Sequence, residues 1–466
     1  MSESKGQFNS NIGFIMASVG SAVGLGNLWG FPYKMGTHGG FAFLLIYLIL
    51  AVFVGVAVML AEFVIGRGTG KGPIEAFREI GSQYTFLGYF AVAASICVLS
   101  FYCCLGGYTI KYWVANLIAI FTHSGIYAVS DTATYFSDFV GSGLPAVVCT
   151  AVFILINLVI VLGGVSGGIE KFTTIAMPAL FVMLVIVIIK GLTLDGSSAG
   201  LLFMYKPNWE VFSGTGWISV LAAAGGQMFF SLSLGMAVMI TYGSYLSKKE
   251  NLVSNAIIVT VCDTLVALMA GLAVFPAVFA MGFEPASGPG LLFITLQSVF
   301  NTMGAIGPIF GFLLYFLVFI AAITSSISLL EGQTATLIDA KIRKGQPYNR
   351  TKYAIIMSCV ALVTNTITTV DALGGGSLPQ PLGFCWLDFF DLLGEGILMP
   401  LGSLIVVALV GWVWKIDFID KEVSIEGNQL HAKGFWNFCF KITAPLGMAM
   451  ILLGQIDGFF GLGIFG

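Results

Sequence analysis

The sequence predicts an all-α polytopic membrane protein of about eleven spans, ten of them arranged as two inverted five-helix repeats. Three observations carry that expectation. The chain of 466 residues is 58% hydrophobic and only 9% charged, against about 25% charged in soluble domains. Uncharged runs at 35–61, 80–110, 139–169, 211–247, 285–330 and 396–414 each supply the ~20 apolar residues that cross a hydrocarbon core. The first and the sixth of the expected spans carry helix breakers in mid-membrane.

Taken in order, the spans are expected at 11–35, 39–66, 85–122, 144–163, 170–191, 214–247, 252–282, 305–342, 352–370, 384–414 and 437–464. Residues 1–10 form a short polar cytoplasmic lead, with no cleavable signal peptide expected. The first repeat takes 11–191 and the second 214–414, leaving 437–464 as an eleventh span outside both. Breakers mark the connections, as in "GSGLP" at 141–145, "EPASGPG" at 284–290 and "GGGSLPQP" at 374–381. With the N-terminus inside, all of the 20 Lys and Arg fall in inner loops or helix ends except Lys34, Lys111, Lys190 and Lys206. That is the positive-inside bias, and an odd number of spans then puts the C-terminus outside a plasma or inner membrane. The net charge of −3 says nothing about nucleic acid; with no basic tail in the sequence, no nucleic-acid partner is expected. Eight cysteines, at 97, 103, 104, 149, 262, 359, 385 and 439, have no metal-ligand spacing and read as small buried hydrophobes.

The first interrupted span reads "SVGSAVGLGNLWGFPY" at 18–33. Irregular backbone is not viable against lipid, so a break there must be shielded by protein or line a wet cavity. Gly20, Gly24, Gly26 and Pro32 mark the interruption, with Asn27 beside it; a glycine-rich packing face is the bland alternative. The second, "GGQMFFSLSLGMAVMITYGSYL" at 225–246, places Ser231, Ser233 and Gly235 in mid-span. A repeat of five spans forces its second copy to be inverted. Paired interruptions at matching positions of two halves point to a transporter's central site. Free N–H groups at half-helix ends suit a carboxylate, and free carbonyls suit a cation.

These segments resemble the neurotransmitter:sodium symporter family, in its bacterial amino-acid branch. The likeness rests on "GSAVGLGNLW" with "FPY", "AEFVIGR" at 61–67, "FFSLSLG" at 229–235 followed by "ITYGSYL", and "TSSIS" at 324–328, and it runs over nearly the whole chain. It implies a leucine-transporter-like fold and sodium-coupled import of an amino acid by alternating access, with two Na⁺ ions. One ion is implied at the carbonyl of Ala22, the side chain of Asn27, the carbonyl and hydroxyl of Ser231, Asp263 and the substrate's own carboxylate. The other is implied at the carbonyls of Gly20, Val23 and Ala321 and the hydroxyls of Thr324 and Ser325. Oxygen-only sets suit a hard cation, although hydroxyls in "TSSIS" equally suit bonds back to their own helix.

Asp263, in "VCDTLVALMAGLAVFP", has no basic partner in its span, and an intramembrane carboxylate is a functional hypothesis by default. Relatives usually carry Asn there and bind chloride beside it, with a Ser one turn later where this chain has Ala267. The resemblance therefore implies that Asp263 supplies the charge of the chloride, that transport ignores chloride, and that Asp263 is free to take a proton after sodium leaves. A protonated, purely structural Asp is the bland alternative. Glu62 is implied as a partner of the first broken helix. Amine-carrying relatives have Asp where this chain has Gly24, so the substrate must bring its own carboxylate. It is expected to bind the backbone from Ala22 through Gly24, Leu25 and Gly26, with Ser231 and Tyr102. A side-chain pocket of Val98, Tyr102, Phe230, Ser233, Met236, Ser328 and Leu329 offers no charge, which favours a neutral, hydrophobic amino acid. Met236 is flexible enough to admit several sizes.

Relatives close the outer side with an Arg paired to an Asp of span ten. Asp391 is present in "LDFFDLLGEG", but Gly30 replaces the Arg, and Lys34, one turn on, is expected to reach Asp391. At the inner side Lys5 is expected to pair with Asp339, with Phe8, Tyr242 and Tyr245 nearby. Gly168 and Pro178 match the Gly-x9-Pro spacing of the bacterial branch and predict unwinding of span five toward the second sodium site. Two rival readings remain: a sodium-dependent binding or sensing protein with little transport, and a proton-coupled carrier using Asp263. Sodium-independent uptake identifies the second, and binding without accumulation the first. No covalent catalysis is expected, and no motif implies a specific lipid, a homodimer or another protein partner.

Overall fold

The computed structural model describes residues 6–213, 215–283 and 290–464. Lys5, and with it the expected Lys5–Asp339 pair, lies outside the described residues. Among those described, nine helices are long and apolar enough to cross a membrane: Phe41–Thr69, Ser82–Thr122, Leu144–Leu162, Val165–Leu192, Leu252–Ala280, Gly304–Arg343, Arg350–Gly374, Trp386–Val413 and Lys433–Phe460. One further span is a bent helix pair, as the sequence predicts, and a second pair of short helices stands where the sixth span is expected. The first consists of Asn11–Ala22 and Gly26–Thr37, bent by 44°. The sixth consists of Gly216–Ser231 and Val238–Ser244.

Each break has a local cause. The first half-helix is started by Ser10, whose hydroxyl caps Gly13 N–H at 2.9 Å. It stops where Val23 turns extended (ψ 98°), and the chain resumes as a π-helical turn, Gly26–Gly30, before Phe31–Thr37. Pro32 sits in the first turn of that last piece, where a missing N–H is tolerated, so the break falls at 23–25 and Pro32 does not cause it. In the sixth span Ser233, Gly235 and Ala237 take φ of 54°, 73° and 71°. That conformation is strained for Ser and Ala and is held by bonds made elsewhere in the core.

Spans two and three are the most enclosed, with 72% of their apolar windows buried, while spans four, five and eleven bury only 33% and form the lipid-facing rim. Small residues let the central helices approach closely. A Cβ at Gly107 would stand 2.6 Å from the backbone nitrogen of Thr150 in span four. At the basic end of the molecule Arg67, 2% exposed, ties span two to the short helix Lys415–Val423 through Glu422 (2.8 Å) and to the loop before span seven through the Glu250 carbonyl (2.6 Å).

Span five departs from expectation. Gly168 lies in a wound π-helical turn, Val165–Glu170, that runs into Lys171–Leu192 with Pro178 inside it. The turn is held wound because the Glu170 carboxylate reaches the start of the first half-helix, accepting from Asn9 N–H (2.8 Å) and the Ser10 hydroxyl (3.1 Å). A Cβ at Gly13 would collide with that carboxylate.

Candidate substrate and cation site

The two breaks meet at mid-bundle. The Ser233 hydroxyl donates to the Ser21 carbonyl at 2.9 Å, and Ser21 Oγ to Ser233 Oγ at 3.2 Å. Gly235 N–H donates to Glu62 Oε1 at 2.7 Å. Glu62 thus supports the second break, not the first. The reason is steric: Gly235 has Met399 O only 2.8 Å from where a Cβ would stand, so its bare backbone can turn toward span two.

On the carbonyl side of the first break, five oxygens converge. Ser325 Oγ lies 3.3 Å from Gly20 O and 3.4 Å from Val23 O, and Thr324 Oγ1 lies 2.9 Å from Ala321 O and 3.5 Å from Val23 O. These are the residues expected for one sodium ion. Both hydroxyls donate to carbonyls here, and a cation among the five would take the place of those protons, using oxygen lone pairs that are otherwise paired weakly.

Around Asp263 a second cluster forms, in which every described partner is neutral. Its carboxylate accepts from Asn27 Nδ2 at 2.7 Å, from Ser231 Oγ at 2.9 and 3.0 Å, and from Tyr47 Oη at 3.2 Å. No basic side chain lies within ion-pair distance of it among the described residues. Ala22 closes the first half-helix, where terminal carbonyls lack in-helix partners. The sequence reading missed Tyr47. The signal was a hydroxyl in an otherwise apolar run, "LLIYLILAVFVG", which once buried needs a partner.

Between the clusters lie the groups expected to hold the substrate. Leu25 N–H donates to Tyr102 Oη at 2.9 Å, so a donor and a hydroxyl suited to a carboxylate already face each other. A Cβ at Gly24 would collide with both Tyr102 Oη and Ser325 Oγ, and one at Gly26 would stand 2.8 Å from the Phe230 ring. Close backbone approach is thus required at both glycines. Val98, Met236 and Leu329 are buried. Ser328 instead faces the basic end, accepting from Tyr242 Oη at 2.6 Å. Ser233 is occupied by the Ser21 contacts.

Aromatic groups close both ends. Phe101 stacks on Phe230 with centroids 6.4 Å apart, and Tyr102 lies at 6.2 Å from it. At the basic end Phe8 packs on Tyr242 (5.5 Å) and Tyr245 (6.3 Å), and Asp339 accepts from Gly72 N–H at 2.5 Å. Above Phe230 a cavity of 280 Å³ is lined by Gly30, Lys34, Gln227, Asp391 and Glu395. Lys34 does not pair with Asp391. Its ion pair is with Glu395, one turn further along span ten and 5% exposed, whose longer stem brings its carboxylate to the ammonium. Gln227, also missed, donates to Gly26 O at 2.8 Å. Both were legible only as polar residues in apolar helices.

This constellation was compared with known proteins. A match to the sodium:neurotransmitter symporter family covers residues 5–124 and 137–462. The chain belongs to that family. Its relatives include the sodium-dependent transporter YhdH of Bacillus subtilis, 34% identical over 98% of this chain and 99% of the relative. The sodium-dependent nutrient amino acid transporter 1 of Drosophila ananassae is 24% identical, over 96% of this chain and 78% of the relative. The crystal structure of MhsT in complex with L-phenylalanine matches with a TM-score of 0.86 at 33% identity, covering 97% of this chain and all of that one. As a member of the sodium:neurotransmitter symporter family the chain is a multi-pass, sodium-dependent transporter with the leucine-transporter-like fold of inverted repeats, and not an enzyme.

Proposed function

We propose that this protein is a chloride-independent symporter that imports neutral, hydrophobic α-amino acids with two Na⁺ ions, its N-terminus in the cytoplasm. The observation that carries the reading is Asp263: a buried carboxylate with neutral partners only, beside the opened first helix. One sodium ion binds among Asp263, Asn27, Ser231 and Ala22 and neutralises that charge. The substrate's carboxylate inserts between Leu25 N–H and Tyr102, reaching the same ion. Its ammonium meets half-helix carbonyls, and its side chain lies among Val98, Phe230, Met236 and Leu329. The second ion ties the first span to span eight through Gly20, Val23, Ala321, Thr324 and Ser325. Closing the Lys34–Glu395 pair and the Phe230 lid seals one end, and release of the first half-helix from Phe8 and Glu170 opens the other. The phenylalanine bound to MhsT supports a hydrophobic substrate class.

The test is uptake of labelled leucine, tyrosine and tryptophan into proteoliposomes under an inward Na⁺ gradient, against choline, with chloride replaced by gluconate. Sodium-dependent, chloride-indifferent accumulation supports the reading. Binding without accumulation indicates a sensor, and uptake indifferent to sodium indicates a proton-coupled carrier.

A further inference from the structure

The third span carries a lysine that the transport site does not use. Lys111 lies 11 residues before the end of Ser82–Thr122, within the expected membrane. Its ammonium stands over the rings of Tyr135, at 5.5 Å, and Phe139, at 5.8 Å. Among the described residues no carboxylate lies within ion-pair distance of it. Beside it opens a groove of 310 Å³, walled by Ile110, Val114, Ile118, Tyr135 and Cys149. Val114 and Ile118 are 38% and 53% exposed, so the groove opens sideways, on the face that lipid covers.

Span four gives the depth. Leu144–Leu162 has 19 residues, or about 28 Å of helix, which only just spans a hydrocarbon core. Its exposed face runs from Leu144 (73%) through Val148 (51%), Leu155 (57%) and Val159 (62%). Leu144 therefore marks the edge of the hydrocarbon. Cys149, which shares the groove with Lys111, is five residues in, about 7–8 Å at helical rise. A lysine at that depth extends its stem to the headgroup layer. An uncompensated ammonium there, above an apolar lateral groove, matches one molecule in both parts: a phosphodiester for the charge and an acyl chain for the wall.

We propose that Lys111 and this groove form a seat for a phospholipid of the outer leaflet, held by its phosphate at Lys111 with one acyl chain along Ile110, Val114 and Ile118. The lipid, and not a protein carboxylate, supplies the counter-ion of the lysine.

The experiment is native mass spectrometry of the purified full chain titrated with phosphatidylglycerol, with diacylglycerol of the same chains as a control lacking phosphate. Wild-type protein and Lys111→Arg are expected to retain phosphatidylglycerol at least ten times better than diacylglycerol. Lys111→Gln is expected to lose that preference while keeping sodium-dependent leucine binding and thermal stability, which shows that it folds. Equal retention of the two lipids by wild type, or undiminished phosphatidylglycerol preference in Lys111→Gln, overturns the proposal. So does competition by millimolar inorganic phosphate that leaves both lipids bound alike, or a dimer that forms through this face and excludes lipid.

Discussion

Replacing Asp263 by asparagine removes one charge and little else. The three donors into the carboxylate, from Asn27, Ser231 and Tyr47, remain, and the two hydroxyls can turn to accept from the new amide. The fold should persist, with a melting temperature within a few degrees of wild type. The attraction for sodium should not. A unit charge about 4 Å from a cation gains about 4 kcal/mol at an effective dielectric near 20, and each 1.4 kcal/mol is tenfold. Part of this is offset because the ion competes with the hydrogen bonds that the carboxylate already accepts from Asn27, Ser231 and Tyr47. The expected outcome of Asp263→Asn is a rise of about two to three decades in the sodium concentration that half-saturates leucine binding, measured by scintillation proximity with labelled leucine. Adding Ala267→Ser to that variant should restore affinity in chloride and not in gluconate. Half-saturation that stays within threefold of wild type would refute the argument, since it would mean that Asp263 is neutral when sodium binds.

Gly24→Ala should lower leucine affinity at least ~100-fold, because its Cβ collides with Tyr102 Oη and Ser325 Oγ, a cost of several kcal/mol; equilibrium binding that survives intact contradicts the close approach. Lys34→Met should speed leucine dissociation about 5- to 30-fold, as breaking a mostly buried pair with Glu395 costs about 1–2 kcal/mol once the partial exposure of the lysine is allowed for. Adding Glu395→Gln should recover part of that loss in a double-mutant cycle, and strict additivity would mean that the two do not couple. Glu170→Ala should speed hydrogen exchange of residues 9–14 about 10- to 100-fold, since charged hydrogen bonds to Asn9 and Ser10 contribute about 1.5–3 kcal/mol; unchanged protection there would remove Glu170 as the clasp.

Much of the site was legible because breaking a membrane helix is costly and leaves a mark. Glycines at 20, 24 and 26, and the Ser231–Gly235 stretch, announce broken helices, since unpaired backbone at membrane depth is tolerated only inside protein or beside a wet cavity. A lone Asp263 likewise announces itself by its cost. Tyr47, Gln227 and Glu395 left weaker marks. Each is a polar group on an apolar helix whose partner comes from a segment far away in sequence, so spacing alone could not say which residue it meets.

The gates show the division most sharply. The sequence by itself determined that this chain lies in a membrane, that it carries helix breakers at corresponding positions of two spans, and that Gly30 stands where the family resemblance puts an arginine. Hydropathy, helix breakers and charge are properties of single residues and short windows. Only the tertiary structure decided that Lys34 meets Glu395 and not Asp391, that Glu62 serves the second break, and that span five stays wound at Gly168 with Glu170 on the first half-helix. Such choices turn on differences of one helical turn or one methylene between competing partners. These depend on how helices rotate and pack against one another, which no local pattern encodes.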